Sequence, residues 1–134
     1  MYKDKRVYIA EDEMNIRLAV KAFLENSGYS VSDFENGDLL MDVFFQSPPD
    51  LVILDIMMPG TNGFAICKEL RRTSSIPIIL MTARASDLDY ETGFELGCND
   101  YITKPFRITE LVSRVNEIFA HEEMKGCGGG AVHR

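Results

Sequence analysis

Branched apolar residues recur along the chain in short blocks, with amphipathic stretches between them. The segments "RVYIA" (6–10), "YSVSDF" (29–34), "LVIL" (51–54), "IPIILM" (76–81) and "DYIT" (100–103) read as strands. "LVIL" and "IPIILM" show no polar alternation, the mark of strands buried on both faces. Helical stripes fill the gaps. Residues 14–26 place Ile16, Ala19, Val20, Phe23 and Leu24 along one face, with Gly28 as a stop. Residues 37–46 carry Leu39, Leu40, Val43 and Phe44 before "SPPD", and residues 63–72 carry Phe64, Ile66, Cys67 and Leu70. Residues 86–96 open with the capping pair Ser86-Asp87 and close at Gly97, and residues 108–122 carry Leu111, Val112, Val115, Ile118 and Phe119. This repeated β-α alternation predicts one parallel sheet with helices on both faces, joined by right-handed crossovers. Periodicity leaves the strand order open.

The chain has 134 residues, enough for one domain with a core and too few for two. Its 46% hydrophobic share is that of a globular protein. Lys and Arg number 14 against 21 Asp and Glu, and the formal charge of -7 disfavours a grip on a nucleic-acid backbone. No apolar run approaches the roughly 20 residues that cross a bilayer, so no membrane role is expected. "MYKDKRVYIAEDE" meets acids too early for a signal peptide. Cys67, Cys98 and Cys127 are far apart and lack a pairing such as Cys-x-x-Cys. They read as two packing residues and one tail thiol in a reducing, cytoplasmic compartment. Glycines at 126 and 128–130 are expected to end helical order. Residues 1–123 therefore read as the domain, and 124–134 as a flexible tail, the start of a linker or a cloning remnant.

Polar residues of complementary type stand where the strands end. Glu11, Asp12 and Glu13 follow the first strand, Asp55 the third, Thr82 the fourth and Lys104-Pro105 the fifth. In a parallel sheet those ends share one edge, so acids distant in sequence meet. Crowded carboxylates repel one another unless a cation offsets them, and oxygen donors with room for water suit Mg²⁺. A nucleophilic Asp, Mg²⁺, a lysine and a strand-end hydroxyl are the equipment for receiving a phosphoryl group. Each residue alone is ordinary, since a loop acid is usually solvated and a Thr after a strand usually caps a helix. The set carries the reading.

From Arg6 to Phe119 the chain resembles the receiver domain of bacterial two-component response regulators, the CheY-like family. Glu11-Asp12 matches its acidic pair, "LDIMMPG" places the phospho-acceptor at Asp55, and Thr82-Ala83 matches its hydroxyl-plus-small pair. "DYITKPF" supplies the switch aromatic Tyr101 and Lys104 before Pro105. The resemblance implies an α/β fold, a (βα)5 flavodoxin-like three-layer sandwich with five parallel strands in the order 2-1-3-4-5. It also implies roles. Asp55, Thr82, Ala83 and Lys104 form the reacting centre. Asp12 and Asp55 ligate Mg²⁺ by side chain, Met57 by its backbone carbonyl, and Glu11, where the family more often has Asp, mainly through water. The Lys104-Pro105 bond is cis, and Met57 and Arg84 flank the phosphoryl group and influence its lifetime.

The implied partner is a histidine kinase whose phosphohistidine donates to Asp55, with His121 and His133 of this chain incidental. The domain is expected to act as a switch rather than an enzyme, apart from self-phosphorylation by small donors and slow self-dephosphorylation. Thr82 is expected to move toward the phosphoryl oxygens, and Tyr101 to turn from an exposed to a buried rotamer. The face built from segment 86–96, strand 100–103 and helix 108–122 then changes most. "GFELGCNDYITKPF…ELVSRV" is most similar to the OmpR/PhoB-type regulators, which dimerise through that face and act through a winged-helix DNA-binding domain. Asp100, Glu110 and Arg114 match bridging positions of that homodimer, and Tyr90 stands where a Lys or Arg is usual. Phe94 and Leu111 are expected at its apolar centre.

Other readings fit less well. A haloacid-dehalogenase-like phosphatase needs an acid two residues after its Asp, where this chain has Met57. A flavin or nucleotide site needs a glycine-rich loop after the first strand, and "AEDEM" repels phosphate. A docking-only pseudo-receiver is disfavoured by the intact acids, Thr82 and Lys104. Within the favoured class, the alternative to the receiver half of a transcription factor is a stand-alone regulator acting by protein binding.

Overall fold

Successive strand residues point to opposite faces, and this chain supplies apolar side chains to both. The computed structural model describes residues 4–58, 62–83, 95 and 97–127, with side chains of the last helix to Glu122. Its elements are β1 (Arg6–Ala10), α1 (Met14–Asn26), β2 (Ser30–Phe34), α2 (Gly37–Phe44), β3 (Leu51–Asp55), α3 (Gly63–Arg71), β4 (Ile78–Thr82), β5 (Asp100–Thr103) and α4 (Ile108–Cys127). The expected helix over 86–96 lies outside the described residues, apart from Glu95.

The strands form one five-stranded sheet in the order β2-β1-β3-β4-β5, every pair parallel. Val7, Ile9, Leu51, Ile53, Ile79, Met81 and Ile102 pack on one side with Val20 and Leu24 of α1 and Leu111, Val115 and Phe119 of α4. Tyr8, Ala10, Val52, Leu54, Ile78, Leu80 and Tyr101 pack on the other with Leu40 and Phe44 of α2 and Ile66, Cys67 and Leu70 of α3. The sheet is thus the middle layer of three, as the two-sided burial of "LVIL" requires. Each buried Leu, Ile or Val contributes about 1.5–3 kcal/mol.

Several boundaries differ from the periodicity reading, for local reasons. β4 begins at Ile78 rather than Ile76; Pro77 has no N–H to give and enters only as an acceptor, its carbonyl taking the Val52 N–H at 3.0 Å. Of the apolar stripe in α2, Leu40 and Phe44 are buried, while Leu39 and Val43 are exposed. Neighbouring residues on a helix sit about 100° apart, so one of each adjacent pair turns outward. Phe23 is exposed for the same reason beside buried Leu24. The last helix runs to Cys127 and takes in Gly126, past the expected end at 122. One glycine inside a helix costs only about 1 kcal/mol.

Candidate functional site

Register brings the acids together. β1 pairs with β3 through Ala10↔Leu54, so the next residues, Glu11 and Asp55, stand side by side at the carboxyl edge. Glu11 is held there by its N–H, which donates to Phe34 O at 3.0 Å. One carboxylate oxygen from each of Glu11, Asp12 and Asp55 lies within 4.8 Å of the others. At the far side, β4 pairs with β5 through Thr82↔Thr103, and the Lys104 N–H extends that ladder to Thr82 O at 2.7 Å. The Lys104-Pro105 peptide is cis.

Lys104 reaches across the sheet end to the acids. Its Nζ lies 3.1 Å from Asp55 Oδ2, 3.7 Å from Glu13 Oε1 and 2.7 Å from Glu11 Oε1. The last is an ionic contact outside hydrogen-bond alignment. Glu11 is fully buried and Asp55 nearly so, whereas Asp12 is exposed at the mouth. The Met57 N–H donates to Asp55 Oδ1 at 3.1 Å and the Glu13 N–H to Glu11 Oε2 at 2.9 Å. Each buried carboxylate therefore has a backbone donor on one oxygen and the ammonium beside the other.

One ammonium does not balance this many acids. Burial pushes the Glu11 carboxyl up to about 7, and the Asp55 charge adds to the push against the pull of Lys104 and the Glu13 N–H. Burial also pulls the Lys104 ammonium down, but its contacts with Glu11 and Asp55 outweigh this and the net shift is upward. Both shifts favour the protonated form, for Glu11 because burial disfavours its carboxylate and for Lys104 because two acids face it. A hard cation with oxygen ligands fits this donor set. Glu11, Asp12 and Asp55 are the residues that would hold it.

Packing sets where Asp55 stands. Gly63 opens α3, its N–H donating to Ile56 O at 2.9 Å, and a Cβ at this position would lie 2.6 Å from the Asp55 carbonyl oxygen. The absence of a side chain lets α3 begin against β3. Asn62 caps α3 by accepting the Ala65 N–H at 2.9 Å. The periodicity reading passed over this contact; its signal is a glycine directly after an Asn cap and before the apolar stripe.

The response regulator receiver domain family matches residues 7–116. This chain belongs to that family. As a receiver domain of two-component systems it is 40% identical over 113 residues to the transcriptional regulatory protein BaeR of Escherichia coli O6:H1, covering 84% of this chain and 47% of BaeR. The relative ycf27 of Cyanidium caldarium is 43% identical over 116 residues, covering 87% of this chain and 47% of ycf27. The receiver domain thus spans about half the length of these curated relatives. Among solved structures, the receiver domain of the TMAO respiratory response regulator TorR matches with a TM-score of 0.81 and 34% identity, covering 87% of this chain and 97% of that one. The BeF3-activated N-terminal receiver domain of Klebsiella pneumoniae RstA matches at 0.78 and 32%, covering 83% and 95%.

The other expected residues of the receiver domain fall into two groups. Thr82 is buried at the end of β4 and exposed Ala83 follows it. Tyr101 pairs with Leu80 and is buried on the α2–α3 side of the sheet; here the aromatic occupies the inward position. Asp100, Glu110 and Arg114 meet within one chain, Arg114 reaching Asp100 at 2.6 Å and Glu110 at 3.3 Å. Leu111 is fully buried among Val115 and Phe119 in the α1–α4 core. That corrects its expected place at a dimer's apolar centre, because it has no surface to offer. Tyr90, Phe94 and Arg84 lie outside the described residues.

Proposed function

We propose that Asp55 accepts a phosphoryl group from a phosphohistidine presented by a partner sensor histidine kinase. The convergence of Glu11, Asp12 and Asp55 around Lys104 carries this reading. An Asp55 carboxylate oxygen bonds to phosphorus as the phosphorus–nitrogen bond of the donor breaks; the histidine nitrogen keeps the electron pair. Lys104, 3.1 Å from Asp55 Oδ2, is placed to follow the charge onto the phosphoryl oxygens. Bound Mg²⁺, held by Glu11, Asp12, Asp55 and the Met57 carbonyl, supplies neutralisation of the developing charge. Thr82, with Ala83 leaving space beside it, is the hydroxyl donor to the product. Slow hydrolysis of the acyl phosphate resets the domain. The similar RstA receiver was solved in a BeF3-activated form, which supports activation of this domain.

A groove of about 600 Å³ opens beside Lys104, lined by Ile16 and Ala19 of α1 and by Pro105, Phe106 and Ile108. Its apolar walls next to the acceptor suit the docking of the donor helix or domain. Readout passes through Thr82 and Tyr101 to the face of β5 and α4. Phosphorylation then promotes a homodimer in which Asp100, Glu110 and Arg114 exchange partners between protomers, with a transcriptional output through a DNA-binding domain outside these residues. Transcriptional roles in the names of the curated relatives support that output. Rim ion pairs contribute only about 0–1 kcal/mol each, so Tyr90 in place of a cation leaves pairing feasible. No described helix is long and apolar enough to cross a membrane, and the proposed place of action is the cytoplasm.

The test is intact mass after incubation with Mg²⁺ and acetyl phosphate, with light scattering on the same samples. One phosphoryl adduct is expected in the wild type, none in Asp55→Asn and none without Mg²⁺, and a dimer is expected with the adduct. An adduct that persists in Asp55→Asn would sink the assignment of the acceptor.

A further inference from the structure

Arg17 holds the peptide that joins two of the clustered acids, Glu11 and Asp12. Its side chain is largely buried in the first turns of α1, at 13% exposure. Nη1 donates to the Glu11 carbonyl oxygen at 3.0 Å, and Nε donates to Asp33 Oδ2 at 3.0 Å. Asp33, near the end of β2, also takes Lys21 Nζ on its other oxygen at 3.2 Å. The N–H of Glu11 is meanwhile bonded to Phe34 O. Both backbone polar groups of Glu11 are therefore tied to the end of β2, the N–H directly and the carbonyl through Arg17 and Asp33.

That carbonyl belongs to the Glu11–Asp12 peptide, which links the fully buried acid to the exposed one. A peptide unit is planar, so its rotation swings Asp12 relative to Glu11 and Asp55. Arg17 opposes the rotation with a rigid guanidinium fork, which a flexible ammonium does not reproduce. We propose that Arg17 is a positioning residue for the metal-binding acids, with Asp33 as its anchor on β2. The inference rests on the reading that these acids hold Mg²⁺.

Two accounts of Arg17 predict opposite signs. As a nearby positive charge it repels a divalent cation, and its removal tightens Mg²⁺ binding. As a positioning residue it holds the ligands in place, and its removal weakens binding by about tenfold, the low end for partners of metal ligands. Calorimetric titration of Mg²⁺ into wild type, Arg17→Gln and Arg17→Lys separates them, with thermal melts of the metal-free proteins alongside. Positioning predicts weaker binding in both variants, because Lys keeps the charge and loses the fork. Binding equal to or tighter than wild type in Arg17→Gln overturns the proposal, as does full affinity in Arg17→Lys. Should Arg17→Gln melt below the titration temperature, Arg17→Lys decides alone. A wild type that takes up no Mg²⁺ refutes the metal reading itself, an outcome distinct from a wild type that binds and a variant that binds as well.

Discussion

The two ends of the sheet treat polar groups in opposite ways. At the amino edge Arg6 is matched on every side. Its N–H donates to Asp50 Oδ2 at 2.8 Å, and its guanidinium donates to Pro48 O, Ser47 Oγ and the Tyr8 hydroxyl at 3.1, 2.8 and 2.7 Å. The Tyr8 hydroxyl in turn donates to Ser47 O at 2.5 Å. At the carboxyl edge Lys104 is the one cationic side chain, among the described residues, that meets the carboxylates of Glu11, Glu13 and Asp55. One edge is a closed network that fastens the loop before β3. The other keeps surplus negative charge, which destabilises the resting fold and creates demand for a cation. Stability is withheld where chemistry is to occur.

The largest expected effect is on pH dependence without Mg²⁺. Glu11, raised from 4.5 to about 7 by burial, makes the folded state bind more protons than the unfolded one between those values. The Glu11 contribution is therefore fully present below pH 4.5 and is lost as pH rises toward 7, by roughly 3 kcal/mol. Asp33 works the other way. Burial tends to raise its pKa, but Lys21 and Arg17 outweigh it and hold the carboxyl below its ordinary 3.8. Its contribution is present above that value and is lost as pH falls through the lowered pKa. Urea midpoints between pH 3 and 8 should show the decline toward 7, and Glu11→Gln should flatten it. A wild-type profile that climbs steadily to pH 7 contradicts the assignment.

Breaking the matched edge should act on the fold alone. Arg6→Ala is expected to lose roughly 1–2 kcal/mol by chemical denaturation, with Mg²⁺ affinity unchanged by calorimetry. A parallel loss of Mg²⁺ binding would mean that the two edges are coupled through the sheet. The smallest effect should come from relieving the mismatch. Asp12→Asn removes one exposed acid from the cluster, so the metal-free melting temperature should rise slightly, while the further rise on adding Mg²⁺ should shrink. The same substitution lowering metal-free stability would show that the carboxyl edge is not under repulsion.

Local pattern made most of the fold legible. β1, β5 and α1 begin and end where branched runs, alternation and the stripe before Gly28 place them. What failed was the choice between neighbours such as Leu39 and Leu40, because helical period alone does not decide which face a packing partner will cover. At the site, the convergence of the acids on Lys104 was legible because strand ends of a parallel sheet share an edge. Arg17 and Asp33 were not. Asp33 lies at the end of the one strand that appeared to carry no chemistry, and an arginine beside an apolar stripe reads as a solvated face. The complete burial of Glu11 is not legible either, since it follows from β1 lying interior to the sheet, a strand order that periodicity leaves open.

Lys104 belongs to the loop between β5 and α4, behind every strand of the sheet. On the ribosome, where chains lengthen by about 5–20 residues per second, β3 emerges seconds before the lysine that completes the pocket at its end. A nascent or prematurely released chain thus displays Asp55 without Lys104 and without the last helix against α1. Within the receiver domain the pocket is closed by one of the last elements to emerge, so its assembly waits on translation of the whole sheet.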